Sequence, residues 1–304
     1  MDIQAIISQY LPVILSNYNI GPGVNNNVEL SKIQAGQQNN NYIISIAGKP
    51  AYVLTAHMGT KWFDGDYTRQ IENYMGYATH LNDKGLPTPR ILESSQQNTY
   101  TMQIPGMDNI PMTVAEYIPH IHVESDYQKD TQYYQAIGQT MAEMHLAVAD
   151  CHLEYAPSLT TEKLSQQNPN LLPEGYTKPP TANLPAALCH LDLKPDNFSY
   201  DPATTSIYAI FDPNRSGIAP MVEDLAHTVF FCCTTNGQLN TDTSQIIISS
   251  YSQIRPLTMP ETKVLPSLIR NVASKIFLLG ELEAKSLANF SDLSFESTLS
   301  ISLR

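Results

Sequence analysis

The sequence predicts an α+β chain of two lobes, an antiparallel strand meander in the first and mainly helices in the second. Short strand-patterned runs joined by tight turns fill residues 30–56 and resume over 91–118. After residue 130, apolar stripes at helical spacing dominate. The change of regime falls at Glu116-Tyr117-Ile118-Pro119. It divides the chain into an N-terminal lobe, 1–119, and a C-terminal lobe, 120–304.

The first lobe opens with Ile3, Ile6, Ile7, Tyr10, Leu11 and Ile14 at helical spacing, which predicts an amphipathic helix over 3–15. Gly21-Pro22-Gly23 and an asparagine run form a loop. Residues 30–34, 41–47 and 51–56 then read as three strands of a meander. The turn G-Q-Q-N-N-N-Y (36–42) lies where a phosphate-covering loop would sit. Gly36, Asn39 and Asn41 are its candidate cofactor contacts, although an ordinary hairpin turn reads the same way. Residues 66–84 read as a helix with Ile71, Tyr74, Met75, Ala78 and Leu81 on one face, closed by Gly85 and two prolines. Glu72 on this helix is either the partner of a phosphate-binding lysine or a solvated glutamate. Strands follow at 91–92, 100–103 and 112–118. Backbone groups at Glu116 and Ile118 can pair there with an adenine edge.

In the second lobe, Tyr134, Ile137, Met141, Met144, His145 and Val148 predict a helix over 131–152, with His145 read as a hydrogen-bonded core histidine. Residues 157–186 are rich in Pro, Asn and Gln and read as a loop or insertion. Helices are expected over 222–232, 243–254 and 261–287, and a serine-rich tail over 288–304.

Composition narrows the function classes. The 304-residue chain has 42% hydrophobic and 15% charged residues and a net charge of −12, so no basic stripe is available for a nucleic-acid backbone. Cys151, Cys189, Cys232 and Cys233 form no C-x-x-C pair, which reads as buried thiols in a reducing compartment. No leader pattern and no membrane-length apolar run is present, so a cytoplasmic location is expected. Export without a cleavable signal would look the same.

The chemistry concentrates in Cys189–Asp212, C-H-L-D-L-K-P-D-N-F-S-Y-D-P-A-T-T-S-I-Y-A-I-F-D. Phosphoryl transfer to a hydroxyl needs a carboxylate at the attacking oxygen and two oxygen ligands that hold magnesium against the phosphates. The ungapped H-x-D-L-x-x-x-N assigns Asp192 as the base and Asn197 as a metal ligand. The apolar run 207–211 delivers the second ligand, Asp212. Lys194 can neutralise the transferred phosphoryl group. His190 and Asp224 are candidate supports, Asp224 as a buried brace of the loop backbone or simply an acid at a helix start. Asp196 could meet a substrate ammonium, and Arg215 or Arg255 a substrate carboxylate; a structural salt bridge is the rival reading for each.

Beyond these motifs the chain resembles the aminoglycoside-phosphotransferase and choline-kinase superfamily, and within it most of all the homoserine kinases. The resemblance rests on A-G-Q-Q-N-N-N-Y-I-I (35–44), Y-V-L-T (52–55), L-N-D-K-G-L-P-T-P-R (81–90), I-G-Q-T-M-A-E-M-H-L-A (137–147), V-E-D-L-A (222–226) and Y-S-Q-I-R-P-L-T-M-P-E (251–261). It implies a bilobal protein-kinase-like fold, ATP, Mg2+ and a small amino alcohol phosphorylated on its hydroxyl. The chain departs from the wider pattern at Thr55, where most relatives of this fold place the phosphate-pairing lysine, although homoserine kinases of this type often show threonine there; Lys49, His57 and Lys61 are the candidate substitutes. It departs also at Asp212-Pro213-Asn214, at the Gln-Gln pair after Gly36, and in the 157–186 segment. Homoserine is the favoured acceptor; another alcohol (an aminoglycoside, choline, a sugar or a protein serine or threonine) and a pseudokinase binding module are the alternatives.

Overall fold

The computed structural model describes residues 3–21, 27–33, 39–58, 67–96, 100–103, 109–119, 130–151, 178–235 and 237–278. The fold is α+β and protein-kinase-like, a curled antiparallel sheet followed by a helical half.

In the first half, β1 (Val28–Lys32), β2 (Asn40–Ile46), β3 (Lys49–Ala56), β4 (Tyr100–Met102) and β5 (Ile110–Glu116) form one sheet in the order β1-β2-β3-β5-β4. Strand alternation gives the sheet two different faces. Tyr42, Ile44, Leu54, Ala56, Met112 and Val114 turn to one side. There they are covered by Ile6, Ile7, Leu11, Ile14 and Leu15 of α1 (Ile3–Asn17). Their neighbours Asn41, Thr55 and Thr113 therefore face the other way, and Thr55 pairs with both Asn41 and Thr113 across the strands.

Helix α2 (Tyr67–Asp83) buries Ile71, Tyr77, Ala78 and Leu81. Tyr77 and Leu81 join the hydrophobic cluster of the second half, so α2 leans on the helical core as well as following the sheet. Its C-terminal end is also tied there: His80 Nε2 donates to Ala147 O at 2.9 Å, and Lys84 Nζ lies 2.6 Å from Asp150.

The second half packs α3 (Thr131–Ala147), α4 (Met221–Cys233), α5 (Thr241–Ile254) and α6 (Met259–Leu278) around one apolar cluster. Asp130 caps α3 by accepting from Gln132 N at 2.9 Å, and Asn240 caps α5. Helices α3 and α5 approach closely at Gly138, where an added Cβ would lie 2.3 Å from Ile247 O. Among the described residues, three small ribbons accompany the helices: β6 (Ala186–Cys189) with β9 (Gly217–Pro220), β7 (Phe198–Asp201) with β8 (Ser206–Ile210), and β10 (Thr234–Thr235) with β11 (Gln238–Leu239).

The structure adjusts several expected boundaries. The helix expected over 131–152 is α-helical to Ala147 and closes in a 3-10 turn, Val148–Asp150. Residues 91–92 contribute only an isolated bridge, Ile91 to Ala115. Strands β6 and β9 leave no mark in the sequence pattern, because four residues are too few to show alternation. The segments 157–177, 279–287 and 288–304 lie outside the described residues.

Candidate active site

Strand β6 ends at Cys189 and releases the loop His190–Lys194, which passes through a 3-10 turn at Pro195–Asn197 into the β7–β8 hairpin. The hairpin is what brings Asp212 back to the loop. Phe211 N donates to Asn197 O at 2.7 Å, and His190 Nε2 donates to Phe211 O at 2.9 Å. Asn197 Nδ2 in turn donates to Asp192 O at 2.7 Å and reaches Asp192 Oδ2 at 3.3 Å. Asp192, Asn197 and Asp212 are thus gathered by the hairpin and a few bonds to its backbone.

Three residues of this segment adopt a left-handed backbone that side chains disfavour: Thr205 at φ 54° in the hairpin turn, and, beside the site, Leu191 at φ 60° and Asp212 at φ 56°. Each such conformation costs on the order of 1–3 kcal/mol and persists only where its surroundings enforce it. At Leu191 the enforcer is Asp224, on α4. Its Oδ1 accepts from Leu191 N at 2.8 Å and its Oδ2 from His190 N at 2.9 Å. Burial alone would raise the Asp224 carboxyl, but the hydrogen bond from His145 and the neighbouring His145 and His190 rings hold it below the ordinary carboxylate range.

Charge is distributed unevenly around Asp192 and Asp212. Asp192 is 6% exposed, with Arg215 NH1 at 3.3 Å from Oδ1 and Lys194 Nζ at 3.5 Å from Oδ2. Oδ1 makes no hydrogen bond, so the Arg215 contact is an ion pair by distance only, its N–H not aligned on the oxygen. Asp212 is accessible to solvent at its outer side yet has protein packed densely around it. Desolvation and the negative charge of Asp192 raise its carboxyl above the ordinary range, against the lowering pull of His190, Lys194 and Arg215. The Asn214 side-chain amide donates to Asp212 Oδ1.

These groups fit a hard divalent cation. Asn197 spends its amide nitrogen on Asp192, which leaves Oδ1 as its oxygen for a metal, and Asp212 offers a carboxylate whose charge is only partly compensated. A second set, His145, Cys189 and Asp224, also converges within 4.8 Å. Its members are committed elsewhere: Asp224 to the loop backbone, and the Cys189 thiol, pushed up by burial, to the carbonyls of Ala187 and Ala219.

On the sheet side, the row Asn41–Thr55–Thr113 carries no cation. His57 does not replace one: it is 2% exposed, its Nε2 meets Thr113 Oγ1 at 3.0 Å, and burial pushes its pKa down to about 3. Lys49 opens β3 at the end opposite Thr55, exposed and paired with Ile46. Lys61 and Gly36 lie outside the described residues, and Asn39 stands at the bend entering β2. Glu72 is placed as in the solvated reading. It is exposed on α2, with no lysine at position 55 to draw it inward. Among the described residues of α2, Gln70 and Asn73 are the buried polar ones, and Gln70 Nε2 donates to Asn214 O at 2.5 Å and Ser216 O at 3.2 Å. The hint lay in the spacing of Gln70, Asn73, Tyr77 and Leu81, a face that continues the apolar stripe with polar members.

At the crossing between the halves, Glu116 N donates to Arg90 O at 2.8 Å and Tyr117 N to Ala51 O at 2.9 Å. The Glu116 carboxylate lies 3.8 Å from Arg90, and Ile118 is half-buried beside Pro119, whose carbonyl accepts from Tyr208 OH at 2.9 Å. Of the acceptor candidates, Asp196 stands on the 3-10 turn beside the loop, and Arg215 stands against Asp192. Arg255 is corrected to a structural residue. It is 8% exposed and its NH2 donates to Glu261 at 2.8 Å, so its charge is already answered in the core.

A curled antiparallel sheet followed by a helical half, with Asp192, Asn197 and Asp212 gathered on one loop and hairpin, is the architecture of a protein-kinase-like phosphotransferase. The chain belongs to the phosphotransferase enzyme family, whose sequence profile matches residues 29–245. It is a small-molecule kinase, an enzyme with a hydroxyl acceptor. Known relatives include a homoserine kinase of Xanthobacter autotrophicus, 24% identical over 88% of this chain and 83% of its own. A homoserine kinase of Methylobacillus glycogenes is 22% identical over 83% of this chain and 79% of its own. Among solved structures, the amicoumacin kinase hAmiN in complex with AMP-PNP and Ca2+ superposes with a TM-score of 0.67 at 15% identity, covering 96% of this chain and 93% of that one. A microcompartment-associated aminopropanol kinase gives 0.62 at 16% identity over 98% and 95%.

Proposed function

We propose that the protein is an ATP- and magnesium-dependent kinase that phosphorylates the hydroxyl of a small amino alcohol, with homoserine the first candidate. The observation that carries the reading is Asp192 Oδ1, a buried carboxylate oxygen without a hydrogen bond, joined through Asn197 to the Asp212 segment. Asp192 orients the acceptor hydroxyl and takes its proton as that oxygen bonds to the terminal phosphorus of ATP and the bond to the ADP oxygen breaks. Asn197 and Asp212 would hold magnesium, which screens the phosphate charge. Lys194, 3.5 Å from Asp192, faces the same transfer. The sheet half, with Asn39, Asn41 and the backbone at Glu116 and Ile118, is taken as the nucleotide side.

Homoserine is favoured by the two homoserine kinases that match more than four-fifths of this chain. An aminopropanol kinase of similar fold supports the wider amino-alcohol class. A protein serine or threonine is disfavoured by space: only residues 213–220 separate Asp212 from α4, and 217–220 are already paired with β6. The pseudokinase reading is motivated by Thr55 and opposed by the retention of Asp192, Asn197 and Asp212 together.

The test is a phosphorylation screen with ATP and Mg2+ across homoserine, aminopropanol, choline, aminoglycosides and sugars, with Asp192→Ala as control. Turnover of homoserine or a close amino alcohol, abolished in the control while nucleotide binding persists, is the expected result. Tight nucleotide binding with no turnover of any acceptor sinks the kinase reading in favour of a binding module.

A further inference from the structure

A kinase site must answer the charge of the nucleotide phosphates, and among the described residues on the sheet side of this one the usual lysine is missing. The Asn41–Thr55–Thr113 row is uncharged, His57 is neutral, and Lys49 stands at the wrong end of β3. The cations that the structure sets against Asp192 come instead from the catalytic segment: Lys194 and Arg215. They differ in how firmly they are held. The Lys194 side chain is 32% exposed on a flexible stem; that of Arg215 is 15% exposed.

The backbone carrying Arg215 is pinned from both sides. Gln70 Nε2 bonds the carbonyls of Asn214 and Ser216, the residues flanking it, and Ser216 N closes a turn onto Pro213 O at 3.0 Å. Gln70 is itself 2% exposed and lies near the start of α2, the helix whose Glu72 turns to solvent. The element expected to steady a lysine on β3 thus steadies an arginine after Asp212. A guanidinium suits such a contact because it is planar, always charged, and matches two phosphate oxygens with paired N–H groups.

We propose that Arg215, positioned by Gln70, supplies the cationic contact to the nucleotide phosphates that position 55 lacks. This rests on the kinase reading above. Arg215 is then a binding residue for the phosphate end of the nucleotide, and Gln70 a positioning residue that acts through the 213–216 turn. Lys194 remains with the transferred group.

Calorimetric binding of AMP-PNP with Mg2+, and of adenosine, to the purified chain tests this without turnover. Arg215→Gln is expected to weaken AMP-PNP binding about ten- to a hundredfold, the scale of a charge-assisted contact, and to leave adenosine binding unchanged. Arg215→Lys is expected to recover part of that affinity, as is Thr55→Lys added to Arg215→Gln. Gln70→Ala should show the same selectivity with a smaller loss. Arg215→Gln that binds AMP-PNP like the parent, or loses adenosine equally, overturns the assignment. So does a selective phosphate loss in Lys61→Ala, the rival cation. A parent protein that binds no nucleotide with Mg2+ overturns the kinase reading itself, and the two failures are told apart by that measurement.

Discussion

Asp224 Oδ1 accepts a 2.8 Å hydrogen bond from the backbone N–H of Leu191, at the point where the chain runs through φ 60°. A helix-borne carboxylate therefore enforces the strained backbone that presents Asp192 one residue later. Asp224→Asn keeps the shape but removes the charge and sets an amide donor against one of two backbone N–H groups. It is expected to cost about 3 kcal/mol, the scale for breaking a buried ionic pairing, read as a lower urea midpoint. An unchanged midpoint would show that the loop holds itself. The pH dependence follows the same residue. Because the folded carboxyl is depressed, its contribution is full at neutral pH and is lost as pH falls below the ordinary carboxylate range through the folded value. The Asn variant should lose that part of the acid sensitivity.

Asp212 has the opposite sign. Desolvation and Asp192 raise its carboxyl, so the folded protein ionises it less readily than the unfolded chain does. Its contribution is absent at low pH and becomes unfavourable as pH rises from the ordinary carboxylate value through the raised one. Asp212→Asn is therefore expected to raise the melting temperature of the ligand-free protein at neutral pH. The same change should weaken magnesium-dependent nucleotide binding by about tenfold or more. A variant that is both less stable and unchanged in metal-dependent binding contradicts the assignment of Asp212.

How far the sequence anticipates this arrangement depends on the range over which each signal acts. The meander, α2 and α3 are legible because their periodicity is local: Leu54 and Ala56 alternate with Thr55, and Ile137, Met141 and Met144 recur on one helical face. The segment from His190 to Asp212 is legible because loop, turn and hairpin are continuous in the chain. Gln70 is not, because its worth lies in two carbonyls more than 140 residues away. Arg255 and Glu72 mislead for a related reason. A charged residue near a motif in sequence carries no mark of whether its partner is ligand, solvent or core, and here Glu261 and solvent are the answers.

The contact of α3 with α5 depends on one missing methyl. A Cβ on Gly138 would lie 2.3 Å from Ile247 O and 3.0 Å from Ser250 Cβ and Tyr251 N. A backbone carbonyl cannot swing aside as a side-chain tip can, so the helices must part. Gly138→Ala is expected to destabilise by about 1–3 kcal/mol although alanine is the better helix former. Urea unfolding checks it, and a gain in stability, as propensity alone predicts, would refute the close approach.

The last relationship reaches the catalytic loop from farther off. Arg255 NH1 donates to Tyr251 OH at 3.0 Å, Tyr251 OH meets His145 Nδ1 at 2.7 Å, and His145 Nε2 meets Asp224 Oδ2 at 3.1 Å. An ionised Asp224 can only accept and a guanidinium can only donate, so Nε2–H donates to Asp224 and Tyr251 OH accepts from Arg255; with one proton on the imidazole, the tyrosine hydroxyl is then the donor to Nδ1. Tyr251→Phe removes the middle link while keeping the ring that packs against His145. It leaves buried imidazole and guanidinium nitrogens short of a partner, a cost of about 1–3 kcal/mol. A purely structural tyrosine would lower the melting temperature and leave turnover per folded molecule intact. If the line of bonds fixes the His145 tautomer that holds Asp224, turnover should fall severalfold below the melting transition while nucleotide affinity is unchanged. Full turnover in a folded Tyr251→Phe protein would confine the line to stability and leave Asp224 anchored by the loop alone.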